Sequence, residues 1–161
     1  NNWSSGSVTL TDDDNGVAGF TVANLKPMQT GVRCVVVTSS STMPGVVKTY
    51  VSGLVVDQSK GLEQYVKLQI EEGTGGSFND CTSFVPKTTP APAPVSLKNL
   101  ILGMHDYASG GNPWSTAGTP GEQKTYRGTY VFDTTGLTQV QVDALQGGSV
   151  TLDFVWELQN S

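Results

Sequence analysis

The sequence predicts an all-β sandwich, and three observations predict it. Short runs alternate apolar with polar residues along the chain, separated by Gly, Pro, Asn and Asp. Charged residues make up only 14% of the chain, against about 25% in an average soluble protein. Gly, Ser, Thr, Val and Gln take their place, which suits strands, turns and exposed sheet faces. The final run, SVTLDFVWEL, is the clearest strand. Val150, Leu152, Phe154, Trp156 and Leu158 share one face, with Thr151, Asp153, Glu157 and Gln159 on the other. At 161 residues the whole chain, 1–161, fits one domain with its own core.

The elements follow in order. SVTLTDDDNGVAGFTVANL predicts a hairpin: Val8 and Leu10 alternate with polar residues, Asp-Asp-Asp-Asn-Gly supplies turn chemistry, and Phe20 and Val22 resume the alternation. Pro27 has no N–H and ends the pairing. TGVRCVVVTSS is the next strand, with Val32, Cys34 and Val36 on one face and Cys34 expected to point inward. VVKTYVSGLVV follows the Pro44-Gly45 turn, and Gly53 predicts a bulge or bend. SKGLEQY predicts a helical turn ahead of the strand VKLQIEEG. GTGGSFNDCTSF is a Gly-rich connection carrying Cys81. The Pro-rich stretch over 86–96 suits a crossover or a linker, and a crossover is expected because neither flank holds a complete set of strands. SLKNLILGMHDY fits a short helix or strand, and GGNPWSTAGTPGEQ a long polar loop around Trp114. KTYRGTYVFD is a strand with Tyr126, Tyr130 and Phe132 on one face. TGLTQVQVDALQGG predicts a short helix capped by Thr138 and ended by Gly147.

Charge and cysteines narrow the function. The net charge is −5, with Lys and Arg scattered. No basic footprint for nucleic acid is visible, and no apolar run reaches the roughly 20 residues of a membrane span. Neither nucleic-acid binding nor membrane insertion is expected. No signal peptide precedes Asn1, so the expectation is a processed or recombinant form. Cys34 and Cys81 are too far apart for a CxxC motif. Their simplest reading is one disulfide and an extracellular setting, and the alternative is two buried thiols.

WSSGSVTLTDDDNGVAGFTVANLKP, Arg33-Cys34, GLEQYVKLQIEEGTGGSFNDC and TLDFVWELQN, in this order, resemble the TasA/camelysin family of secreted Gram-positive proteins, in its Cys-containing branch. The resemblance implies a jelly-roll β-sandwich with one or two short helices, export, and assembly into extracellular biofilm-matrix fibres. In such fibres an N-terminal segment of one subunit completes a sheet of the next, which is strand addition at a free edge. The implied donor strand is Asn1, Asn2, Trp3, Ser4, Ser5, Gly6, Ser7 and Val8, within residues 1–10. The implied partner is a second copy, head to tail, with other matrix components besides. Two departures stand out. The family's LKPGD turn reads LKPMQ, with Met28 and Gln29, and only Asn1, Asn2 and Trp3 precede the Ser-Ser-Gly stretch.

Camelysins imply metallopeptidase activity, but a zinc hydrolase uses three protein ligands, and this chain has His105 alone and no HExxH. No GxSxG elbow is present either. The expectation is a structural protein without catalytic residues or cofactor. Asp12, Asp13 and Asp14 offer hard oxygen ligands for calcium, without EF-hand spacing, and a solvated turn is the plainer reading. Asn2-Trp3-Ser4 fits the N-glycosylation pattern. Trp3 and Trp114, if exposed, suit a monomeric module that binds surface polysaccharide, whereas Trp156 belongs to the core.

Overall fold

A computed structural model describes residues 10–12, 19–87 and 92–160. Its strands are β1 (Leu10–Asp12), β2 (Gly19–Ala23), β3 (Thr30–Ser39), β4 (Gly45–Val55), β5 (Val66–Thr74), β6 (Val85–Pro86), β7 (Val95–Ser96), β8 (Gly111–Thr116), β9 (Glu122–Phe132) and β10 (Ser149–Asn160). The helices among the described residues are α1 (Leu97–Gly103) and α2 (Gln139–Leu145), with a 3-10 turn at Leu62–Gln64.

The strands form two antiparallel sheets that pack as a sandwich. One runs β1-β3-β9-β5 and ends on β6 and β7, which both pair with β5; the other runs β2-β10-β4-β8. With β1 set aside and β6 and β7 counted as one interrupted strand, the second sheet takes the first, last, third and sixth strands. The first sheet takes the second, seventh, fourth and fifth. That is jelly-roll order.

Alternation explains which side chains meet inside. Phe20 and Val22 of β2, Val47, Thr49 and Val51 of β4, and Val150, Leu152 and Leu158 of β10 are buried from one sheet. Val66 and Leu68 of β5 and Tyr126, Tyr130 and Phe132 of β9 are buried from the other. The apolar interior falls into two clusters. The larger gathers Phe20, Leu62, Leu97, Phe132 and Leu152. The smaller comprises Val37, Val47, Trp114, Tyr126 and Leu158. Helix α1, capped by the Ser96 hydroxyl on the Asn99 N–H, adds Leu97 and Leu100 to the larger cluster. Thr138 caps α2 through a full capping box with Gln141, and Gly147 at φ 78° follows the helix end, both as expected.

Several local expectations hold for stated reasons. Gly53 takes φ 61° where the β4–β10 register shifts, between Thr151 and Asp153. The LKPMQ turn is closed by the Gln29 N–H on the Lys26 carbonyl, with Pro27 second and Met28 third at φ 63°. This is type II geometry, whose third position favours Gly. Met28 accepts it because the Met28 N–H bonds the Phe132 carbonyl and the Gln29 side chain accepts from the Lys26 N–H.

Other expectations are corrected. The opening segment is no hairpin in its described parts: β1 pairs with β3 in one sheet and β2 with β10 in the other. Phe20 and Val22 bury against the last strand, and that burial overrides the local turn signal. Cys34 is buried but not on the inner face. Cys34 pairs with Arg127, whereas Val35 pairs with the inward Tyr126, so Cys34 lies on the outer face of its sheet. In the Pro-rich stretch over 86–96, expected as a crossover, residues 88–91 lie outside the described residues. Both its ends, β6 and β7, pair antiparallel with β5 and so run along the sheet edge. Proline is tolerated there because an edge strand needs donors on one side only.

Candidate functional site

The site is built around one side of the sandwich. Residues 75–84 leave β5 through Gly75 and Gly76, at φ 80° and 74°, and fold over the outer face of β3 and β9. Gly75 is required there, since a Cβ would lie 2.1 Å from the Ser83 carbonyl oxygen. The Cys34–Cys81 disulfide fastens this segment. The Asn79 N–H donates to the Cys34 carbonyl at 2.9 Å, and Phe84 lies 4.6 Å beneath the Arg127 guanidinium. Arg127 in turn donates twice to the buried Glu71 carboxylate, at 2.6 and 3.0 Å.

Opposite this segment, β10 is paired unequally on its two sides among the described residues. On one side β4 pairs with it from Thr151 to Asn160. On the other, β2 pairs with it only from Ser149 to Asp153. Among the described residues no strand pairs with Phe154–Gln159 on the β2 side.

A cavity of about 240 Å³ opens at this place, between the two core clusters. Thr49, Phe154 and Trp156 wall it from one sheet, and Leu68, Ile70 and Tyr126 from the other. Arg33 and Phe78 stand at its mouth, Arg33 lying over the Tyr130 ring. The walls are mostly apolar, yet three of their residues each carry a fully buried polar atom with no hydrogen-bond partner among the described residues. The atoms are the Thr49 hydroxyl, the Tyr126 hydroxyl and the Trp156 indole N–H. Thr49 and Tyr126 are 0% and 2% exposed. Burial, and secondarily the Glu72 charge, push the Tyr126 phenol far above its ordinary range, so it stays a neutral donor.

A second polar group lies on the outer face of the other sheet. Tyr50 donates its phenol proton to the buried Glu157 carboxylate at 2.8 Å, and Gln159 donates to the other carboxylate oxygen. Burial first, then the Glu157 hydrogen bond and charge, push Tyr50 up to about 12. A raised folded value means stability that is intact below the unfolded value near 10 and lost as pH rises towards 12. Thermal melts between pH 9 and 12 are expected to show a steeper alkaline loss for the native protein than for Tyr50→Phe.

The residues singled out from sequence do not converge on one centre. Asn1–Val8, Asp13 and Asp14 lie outside the described residues, and Asp12 is described only as backbone in β1. His105 is exposed and stands 3.7 Å from the Asp106 carboxylate. Asp106 is engaged by Ser109, whose hydroxyl and N–H hold its carboxyl below the usual range. Tyr107 instead donates to the Val46 carbonyl. Among the described residues no group of three His, Cys, Asp or Glu side chains could hold a metal. Trp114 is corrected: it sits in β8, not in a loop, and is 5% exposed inside the smaller core cluster. A platform for sugars would need its face in solvent.

Sequence reasoning missed the cavity, although two signals pointed to it. Thr49 interrupts the inward row Val47-Thr49-Val51 with a hydroxyl, and Gly128 interrupts Tyr126-Gly128-Tyr130 with no side chain at all. No family model and no curated protein matches the sequence. No helix among the described residues is long and apolar enough to cross a membrane, and the disulfide is compatible with an extracellular protein.

Proposed function

We propose that this chain is a secreted, non-enzymatic subunit of an extracellular filament, joined to its neighbours by strand addition. The observation that carries the reading is that β2, among the described residues, pairs with β10 only as far as Asp153, whereas β4 pairs with it to Asn160. Strand edges with unpaired backbone groups are templates for another chain. The stretch past Asp153 adjoins an apolar cleft, so an added strand would gain side-chain burial as well as backbone hydrogen bonds. The far edge of the other sheet is unsuited to this, because Pro86, Pro92 and Pro94 interrupt its donors. The donor in this reading is the Asn1–Val8 segment of a second copy, in keeping with the TasA/camelysin resemblance. A donor and an acceptor at different places on one subunit give a contact that does not close on itself, hence a filament.

Electron microscopy and sedimentation of the secreted protein test this. Long filaments are expected from the full chain. Monomers are expected after deletion of Asn1–Gly6, with assembly poisoned by an added synthetic peptide of residues 1–10. A full chain that stays monomeric at high concentration, or a deleted chain that still forms long filaments, overturns the reading.

A further inference from the structure

Two strand edges border the mouth of the cleft, and they are finished differently. One is β10 past Asp153, the acceptor in the reading above. The other is β3, whose residues 30–34 have no strand partner on the β1 side among the described residues, since β1 pairs with residues 37–39. We propose that residues 75–84 are an edge guard, held by the Cys34–Cys81 bridge, that closes β3 to strand pairing with a second copy. Its purpose rests on the filament reading: with β3 closed, an arriving strand is left with β10.

Alternation fixes which β3 groups face the mouth. The Gln29 and Ser39 carbonyls accept from the Phe132 and Gly121 N–H groups, on the β9 side. Ladder groups switch sides at every residue, so Thr30, Val32 and Cys34 turn their N–H and C=O groups away from β9. These are the groups that an added strand would pair with. Two of the carbonyls are already taken. The Asn79 N–H donates to the Cys34 carbonyl at 2.9 Å, and the Arg33 guanidinium donates to the Val32 carbonyl at 3.1 Å. On β10, by contrast, no described residue outside β4 bonds to the backbone between Phe154 and Gln159.

The guard has its own internal structure. Ser77 and Asp80 exchange backbone hydrogen bonds in both directions, at 2.8 and 2.9 Å. Between them Asn79 takes φ 57°, a left-handed conformation that Asn adopts more readily than most residues, and its N–H thereby meets β3. The bridge from Cys81 to Cys34 ties this turn covalently to the strand that it covers. Without the bridge, the turn keeps the Asn79 hydrogen bond to β3, and a bond of that kind is weak on its own. The edge uncovered by its loss carries the exposed Val32 side chain, which adds apolar contact to any new pairing.

Amide exchange and sedimentation of the full chain test this. Excision of residues 76–82 together with Cys34→Ala removes the guard. The cut can be closed because its ends meet: a Cβ on Gly75 would fall 2.1 Å from the Ser83 carbonyl oxygen. Reduction with dithiothreitol frees the guard instead, each cysteine gaining a hydrogen as the dithiol closes to its own disulfide. In the native protein the Val32 amide is expected to exchange at one rate at all protein concentrations, whether the chain is filament or monomer. In the excised and the reduced protein that exchange is expected to slow about tenfold as concentration rises, with larger sedimenting species. Val32→Pro in the excised chain removes an edge donor and is expected to restore native sedimentation. A proline would worsen any association caused by unfolding, so the reversal marks the edge itself.

Concentration-independent exchange at Val32 in a folded excised chain overturns the proposal, as does association that Val32→Pro leaves in place. If the excised chain does not fold, the reduced protein decides alone, with Val32→Pro as its control. An excised chain that associates while the reduced protein does not overturns the role of the bridge. A native protein that forms no filaments overturns assembly at β10 and leaves the expectation for β3 as it stands.

Discussion

Trp114→Ala is expected to lower the unfolding free energy by about 3–5 kcal/mol, the cost typical of truncating a large buried aromatic. Trp114 reaches from β8 at the sheet edge into the smaller core cluster, against Val47, Tyr126 and Leu158. Its removal leaves a hole that this five-residue cluster cannot close by relaxation, and it loosens β8, which has β4 as its only described strand partner. Equilibrium unfolding in urea measures the loss. An exposed tryptophan serving as a sugar platform would give the opposite pattern, with stability within about 0.5 kcal/mol of native and binding abolished.

Replacing both Cys34 and Cys81 by Ala is expected to cost about 4 kcal/mol. The bridge closes a loop with a sequence separation of 47, and the chain entropy released to the unfolded state sets this magnitude. The loss should match that caused by reducing the native protein, and denaturation with and without reductant compares the two directly. A second consequence is local. Residues 75–84 bring Phe78 and Asn79 to the cavity mouth, so freeing that segment is expected to expose the Trp156 indole to fluorescence quenchers. Unchanged quenching would show that the backbone contact from Asn79 to Cys34 holds the segment by itself.

The sandwich was legible because burial leaves a period of two in the sequence. Val150 to Leu158 and Tyr126 to Phe132 carry that period cleanly, and both lie where it puts them. Partnership was less legible. Local turn chemistry joins β1 to β2 on paper, but the strands belong to different sheets, because pairing is decided by distant residues such as Leu152. Faces failed at Cys34 for a related reason. A covering segment buries the outer side of that strand, so both of its faces read as apolar. Trp114 was misread because Gly, Asn and Pro around it signal a loop, yet all three are tolerated in an edge strand. The cavity was the least legible feature. It is made by what Gly128 lacks relative to Tyr126 and Tyr130, and a missing side chain leaves no mark on hydropathy.

The pairing of β2 with β10 also bears on when the protein can fold. Val22 lies opposite Val150 and Phe20 opposite Leu152, so the second sheet joins residues far apart in the sequence. During synthesis Phe20 and Val22 therefore emerge unsheltered, and their sheet cannot close until β10 has been made. Such non-local β pairing proceeds in about milliseconds to seconds. That delay leaves the newly made chain most prone to aggregate in the interval before β10 docks.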